Sequence, residues 1–109
     1  MNEQIVITKG NYGIELLVDF IDNKKKSVDI TGCFVEATFV NPNKEIEQEV
    51  QAFVTNYTEG QASVILNSNL TEIEGLWSVY FSAVQDDTGY VTAQEAIYYF
   101  VLPENGGAK

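Results

Sequence analysis

Arginine and histidine are absent from this chain of 109 residues, which sets six lysines against 16 aspartates and glutamates for a formal net charge of −10. Binding nucleic acid by neutralising phosphates needs clustered cations. The lysine cluster at 24–26 lies between Asp22 and Asp29, which is typical of a solvated turn. The same acidity disfavours an anionic membrane surface. We therefore expect neither a nucleic-acid partner nor a membrane partner.

Cysteine occurs once, as Cys33, and long apolar runs do not occur. A lone thiol cannot form an internal disulfide, so stability must come from packing, and the chain can fold in a reducing cytoplasm. No apolar stretch approaches the ~20 residues that span a bilayer. The N-terminus also lacks a basic segment followed by an apolar block, so we expect no export by a cleaved signal.

These absences also weigh against a catalytic or metal site. One cysteine without histidine excludes an ordinary zinc site. A nucleophilic Cys33 would lack its usual base, and its place on the apolar side of its segment favours packing. The acidic pairs Asp86 with Asp87 and Glu47 with Glu49 fit a hairpin and a solvated strand better than a pair of catalytic carboxylates. We predict no catalytic residues, no metal and no cofactor.

Calcium is the strongest metal alternative, because acidic loops of β-proteins supply the oxygen ligands that it prefers. However, Asp19, Asp22 and Asp29 are scattered around a lysine-rich turn. No Asp-x-Asp-x-Asp spacing occurs in the sequence. A calcium site is therefore a minor alternative.

Apolar and polar side chains alternate along most of the chain, which is typical of strands with one buried face. Strands are predicted over residues 4–8, 14–20, 33–40, 45–55, 62–66, 77–83 and 90–102. Ser68 or Asn69 as an N-cap and Gly75 as a stop predict one helical turn between two of these strands. Trp77 is expected to be buried, because it alternates in phase with Val79 and other apolar residues.

This pattern predicts an all-β protein, an immunoglobulin-like antiparallel β-sandwich of about seven strands with at most one short helical turn. One domain is expected over residues 1–102. The Gly-rich segment 103–109 is expected to be a flexible tail.

Several large apolar side chains lie on the predicted solvent side of their strands: Leu17, Phe34, Val40, Phe53 and Tyr80. Monomers rarely expose large contiguous apolar patches, so these residues are candidates for a protein interface. The alternative is that a strand register is off by one residue, which would move the side chains into the core. Both interpretations remain open at this point.

Three phrases follow one another in a recognisable order: "GIELLVDFIDNKKKSVDITGCFVEATFVNPNKE", a polar hairpin, and "GLWSVYFSAVQDDTGYVTAQEAIYYFVL". This order resembles the N-terminal domain of upper baseplate proteins of tailed phages that infect Gram-positive bacteria. The resemblance covers residues 5 to 102. Such proteins usually continue into a helical or coiled segment and a C-terminal domain, so the chain is expected to be either an excised domain or a small free-standing relative.

The resemblance implies a non-enzymatic structural role: docking onto the core of a phage or prophage tail and carrying host-recognition parts at the tail tip. It implies a location in the virion tail, and in the host bacterial cytoplasm during assembly. The partners would be tail or baseplate proteins, and a homo-oligomer stays open. The alternative is a carbohydrate-binding or adhesion module with aromatic residues stacked on sugars, which the expected burial of Trp77 disfavours.

Overall fold

The computed structural model describes residues 5–85 and 89–103, and for residues 89–95 it describes the backbone alone. Within these ranges the chain forms seven strands and one short 3-10 turn. The elements are β1 (Ile5–Thr8), β2 (Glu15–Asp19), β3 (Cys33–Val40), β4 (Ile46–Asn56), β5 (Gln61–Ile65), the turn η1 (Ser68–Thr71), β6 (Gly75–Gln85) and β7 (Gly89–Leu102). No helix in this part of the chain is long and apolar enough to cross a membrane.

The strands form one mixed sheet in the order β1-β7-β6-β3-β4-β5-β2. β1 pairs with β7 in parallel, from Ile5 beside Tyr99 to Thr8 beside Leu102. The other described strand pairs are antiparallel. The first and last strands of the described chain are therefore neighbours at one edge of the sheet.

The sheet is curled, and successive parts of β4 pair with different neighbours. Its first part pairs with β3, up to Ala52 opposite Val35. From Phe53, which lies opposite Ser63, β4 pairs with β5. One continuous strand thus connects a larger half (β1, β7, β6 and β3) to a smaller half (β5 and β2), and the curled sheet resembles half of a barrel.

The core lies on the concave side of the sheet. It is formed by every second side chain along the strands. On β3, Cys33, Val35, Ala37 and Phe39 are buried while Glu36 is exposed. β2 contributes Leu16 and Val18, and β6 contributes Trp77, Val79 and Phe81. These side chains lie on one face of their strands, as the alternation predicts.

Aromatic stacking and side-chain hydrogen bonds to backbone carbonyl oxygens hold the region of the 3-10 turn against the core. The indole of Trp77 stacks on Tyr99 with ring centroids 5.6 Å apart. Its Nε1 donates to the Ile73 carbonyl oxygen at 2.8 Å. The hydroxyl of the fully buried Thr71 donates to the Asn11 carbonyl oxygen at 2.7 Å. The turn is thereby tied to β6 and to the loop that precedes β2.

The structure confirms an all-β chain of seven described strands with one short helical turn, and the burial of Trp77. The pairing differs from the predicted antiparallel immunoglobulin-like sandwich in two respects. The β1–β7 pair is parallel, and the shared strand β4 joins the two halves into one curled sheet. Alternation within a strand shows which of its faces is buried, but it does not show which strands are neighbours or in which direction they pair.

Two local predictions were wrong. The cap of the 3-10 turn is Asn67, whose side-chain oxygen accepts from the Leu70 amide, and neither Ser68 nor Asn69 takes this role. Simple alternation along this strand predicts Ile46 on the inner side with Val50 and Ala52, but Ile46 is exposed. Phe39 pairs with Gln48 while Val40 pairs with Ile46, so a bulge at Glu47 moves Ile46 to the outer face. The predicted hairpin at 85–89 and the tail fall largely outside the described residues.

Candidate protein interface

The convex side of the larger half carries a cluster of apolar and aromatic side chains. Alternation along the strands places them opposite the buried residues, in adjacent cross-strand rows. One row runs from Val6 through Phe100 to Leu76, and the next from Tyr98 through Ser78 and Val40 to Ile46. Tyr80 lies in a third row. We call this surface the outer aromatic face, and its members are Val6, Val40, Ile46, Leu76, Tyr80, Tyr98 and Phe100.

Much of this surface is open to solvent. Leu76, Tyr80 and Tyr98 are 46%, 49% and 51% exposed, and Ile46 is 63% exposed. Neighbouring strands lie ~4.8 Å apart and alternate residues ~6.8 Å apart, so five strands and three rows span roughly 19 Å by 14 Å. The rectangle, which also contains Ser78, Thr38 and Glu49, is slightly smaller than the largest apolar patch on a typical monomer, and such patches are often functional.

A second, smaller apolar patch lies on the convex side of the smaller half. Leu17 on β2 and Phe53 on β4 both lie opposite Ser63 on the central strand β5. They are 67% and 75% exposed, while Ser63 between them is buried. Ile65, two residues along β5, adds a third exposed apolar side chain. We call these three apolar residues the small apolar patch.

The five predicted interface residues therefore separate into different surfaces. Val40 and Tyr80 belong to the outer aromatic face, and Leu17 and Phe53 belong to the small apolar patch. Phe34 is half-buried and lines an open depression beside Tyr57 and Cys33. None of the five belongs to the buried core, so the alternative of a shifted register does not apply to them. Their participation in binding stays a prediction.

The sequence did not single out Val6, Leu76, Tyr98 and Phe100. Tyr98 and Phe100 occur in the run "AIYYFVL", where every residue is apolar or aromatic and alternation cannot assign a face. Leu76 could have been found, since it is out of phase with the buried Trp77 in a clearly alternating strand. Val6 could be placed only through its pairing with β7.

The border of the outer aromatic face is acidic. Glu49 lies in the row of Thr38 and Tyr80, and Glu36 lies in the following row opposite Ser82. The strands β1, β3, β4, β6 and β7 contain no lysine over their described ranges. The nearby Lys9 already approaches Glu74, with Nζ 3.8 Å from Oε2. The surface therefore combines an apolar centre with negative charge along the side of Glu36 and Glu49, which form no salt bridge within the described residues.

The Cys33 side chain packs in the hydrophobic core. Its side chain is buried on the inner face of β3, and burial, followed by the negative charge of Asp29, raises the pKa of the thiol. A raised pKa lowers the thiolate fraction that nucleophilic chemistry requires. The pKa of Asp29 is itself lowered, because its carboxylate accepts hydrogen bonds from the hydroxyl and amide of Thr31.

Of the three acidic residues weighed as calcium ligands, Asp22 and Asp29 accept hydrogen bonds in turns, and Asp19 lies at the end of β2. Asp22 accepts from the amides of Lys24 and Lys26 at 2.8 and 3.0 Å. Asp29 caps the turn that leads into β3. Within the described residues, no three His, Cys, Asp or Glu side chains come together as a group that could hold a metal ion.

This geometry defines a small β-domain whose convex surfaces expose apolar side chains, a feature that protein-binding surfaces often have. Among solved structures, the fold is similar to the N-terminal domain of phage TP901-1 ORF48, with a TM-score of 0.74 at 12% sequence identity. The similarity covers 91% of this chain and 84% of the phage domain. No family model and no curated protein sequence matches the chain.

Proposed function

We propose that this chain is a non-enzymatic structural module of a phage or prophage tail, which docks onto tail-core proteins and supports host-recognition components. The observation that carries the proposal is the likeness of its fold, over nearly the whole chain, to the N-terminal domain of a phage baseplate protein. The order of turn and strand phrases in the sequence supports the same assignment independently of the fold. The expected location is the virion tail, with the host bacterial cytoplasm as the place of assembly.

The surface of the domain agrees with a role in assembly. Apolar side chains that face solvent on two convex surfaces gain stability when a partner covers them, at roughly 25 cal/mol per Å² of apolar area. The thiol is buried, and the turn carboxylates are engaged with backbone amides. These features support a binding role and give no support to a catalytic one.

A carbohydrate-binding module is the alternative, and it would present aromatic rings to sugars. The sole tryptophan, Trp77, is fully buried and stacked on Tyr99, so it is not available for this purpose. No described feature favours sugar binding over protein binding.

The test is to look for the chain in assembled particles. Tails are purified from the phage, or from the induced prophage, that encodes the chain. Mass spectrometry then measures its stoichiometry, and antibody-labelled electron micrographs locate it. We expect a fixed ratio to the major tail proteins and labelling at the tail tip. Absence of the chain from purified tails that still adsorb to the host would contradict the proposal.

A further inference from the structure

We propose that the outer aromatic face binds a tail protein whose contact surface has an apolar centre and lysine or arginine side chains at its rim. This inference rests on the function proposed above and deepens it, because it assigns the docking to one surface and specifies the chemistry of the partner. The contact is expected to involve two different proteins, with no second copy of this chain at this surface.

The apolar centre of the partner follows from the rows of the outer aromatic face. Leu76 on β6 lies beside Phe100 on β7. Tyr98 lies two residues before Phe100 on the same strand and on the same face. Tyrosine and other aromatic residues are typical anchors at the centre of protein interfaces, where a partner removes them from water. A convex sheet face with these side chains is complemented by an apolar surface on the partner.

The basic rim follows from size and charge together. A standard interface covers about 800 Å² on each partner, and the outer aromatic face, at roughly 19 Å by 14 Å, supplies only about a third of that area. A stable partner must therefore also cover the border, where Glu36 and Glu49 lie. No lysine on the described strands of this half neutralises these carboxylates. Cationic side chains on the partner would provide the complementary charge.

The same charges disfavour a second copy. A two-fold contact between identical chains places the same patch on both sides. Both acidic borders would then enter one interface, and each chain carries a formal net charge of −10. Like-charge contacts of this kind oppose association. The negative charge of the surface thus favours a basic partner over a second copy of the chain.

The test uses the purified chain and the tail proteins encoded in the same gene cluster, each immobilised in turn for biolayer interferometry. Leu76→Thr and Tyr98→Thr change the outer aromatic face. Leu17→Thr and Phe53→Thr are matched controls that remove equally or more exposed side chains from the small apolar patch. Threonine suits a strand, and Trp77 fluorescence with circular dichroism checks that every variant is folded.

We expect at least one tail protein to bind, with affinity reduced about tenfold or more by the first pair and less than about threefold by the controls. The double variant Glu36→Gln with Glu49→Gln should slow association and flatten its dependence on salt between 50 and 500 mM. Binding that only the control variants weaken would overturn the choice of surface while leaving the proposed function intact.

Three further outcomes are equally decisive. Light scattering that finds a dimer abolished by Leu76→Thr would overturn the choice of partner in favour of a second copy. Binding that is insensitive to both salt and the glutamate variants would overturn the basic rim. If no tail protein binds and the chain is absent from purified tails, the proposed function fails and this inference fails with it.

Discussion

The hydroxyl of Tyr99 donates a hydrogen bond of 2.6 Å to the carbonyl oxygen of Leu70, and both residues are fully buried. This contact joins the last strand to the 3-10 turn. Tyr99 also stacks on Trp77, so one side chain connects β7, β6 and η1. A single substitution at Tyr99 can therefore test how much this contact contributes to stability.

Replacement of Tyr99 by phenylalanine should lower the free energy of unfolding by about 1 to 3 kcal/mol, because the buried Leu70 carbonyl oxygen loses its donor while the ring remains. Urea unfolding followed by Trp77 fluorescence measures the change. Tyr80→Phe is the control, since the Tyr80 side chain is about half exposed and should change stability little. Equal effects of the two substitutions would contradict this role of the hydrogen bond.

The same hydroxyl predicts a dependence on alkaline pH. Burial, followed by the charge of Glu47, raises the pKa of Tyr99 far above its ordinary value near 10. The folded state therefore keeps the proton that the unfolded chain loses above pH ~10, so this contribution is complete below pH ~10 and decreases as the pH rises further. Melting temperatures of the wild type and Tyr99→Phe should converge between pH 9.5 and 11.5. A constant difference would count against a perturbed Tyr99.

Gly60 is predicted to be intolerant of any side chain. Its φ is +67°, and an added Cβ would meet the Val28 carbonyl oxygen and lie 3.1 Å from that of Phe20. Gly60→Ala should therefore cost about 2 to 4 kcal/mol, from left-handed strain together with the clash. Gly32→Ala is the matched control, because Gly32 has a φ of +87° but open space around it. Its cost should be limited to the strain, about 1 to 2 kcal/mol. Chemical denaturation compares the two variants.

Asn41 is predicted to hold the turn between β3 and β4. Its buried side chain accepts from the amides of Asn43 and Glu45 and donates to the Glu47 carboxylate at 3.0 Å. Asn41→Asp keeps the acceptor but places a second carboxylate against Glu47, which should cost about 1 to 3 kcal/mol at pH 7. Adding Glu47→Gln should recover most of the loss, since its amide can donate. A double variant no more stable than Asn41→Asp would argue against the pairing.

Local structure was predictable wherever polar and apolar residues alternate. β2, β3 and β6 alternate clearly, and their buried faces follow directly from residues such as Leu16, Val35 and Trp77. The uniformly apolar end of β7 gave no such signal, which is why Tyr98 and Phe100 were missed. The bulge at Glu47 was also invisible, because it arises from pairing with β3 and leaves no mark in the local sequence.

For the candidate interface, the exposure of single side chains was predictable, but their grouping into surfaces was not. Exposure of Leu17, Phe53 and Tyr80 follows from the register of each strand. Their division between two surfaces depends on the order of strands in the sheet and on the strand that joins its halves. Neither property can be deduced from residue alternation, because both depend on contacts between distant parts of the chain.

The parallel pairing of β1 with β7 also has a consequence for biosynthesis. β1 is the first of the described strands to leave the ribosome, and its hydrogen-bonding neighbour β7 is the last. The segment "IVIT" therefore cannot form its hydrogen bonds with β7 until every intervening strand has been translated. An interrupted translation product would retain an open edge in place of the β1–β7 ladder. Completion of the sheet therefore requires translation through β7.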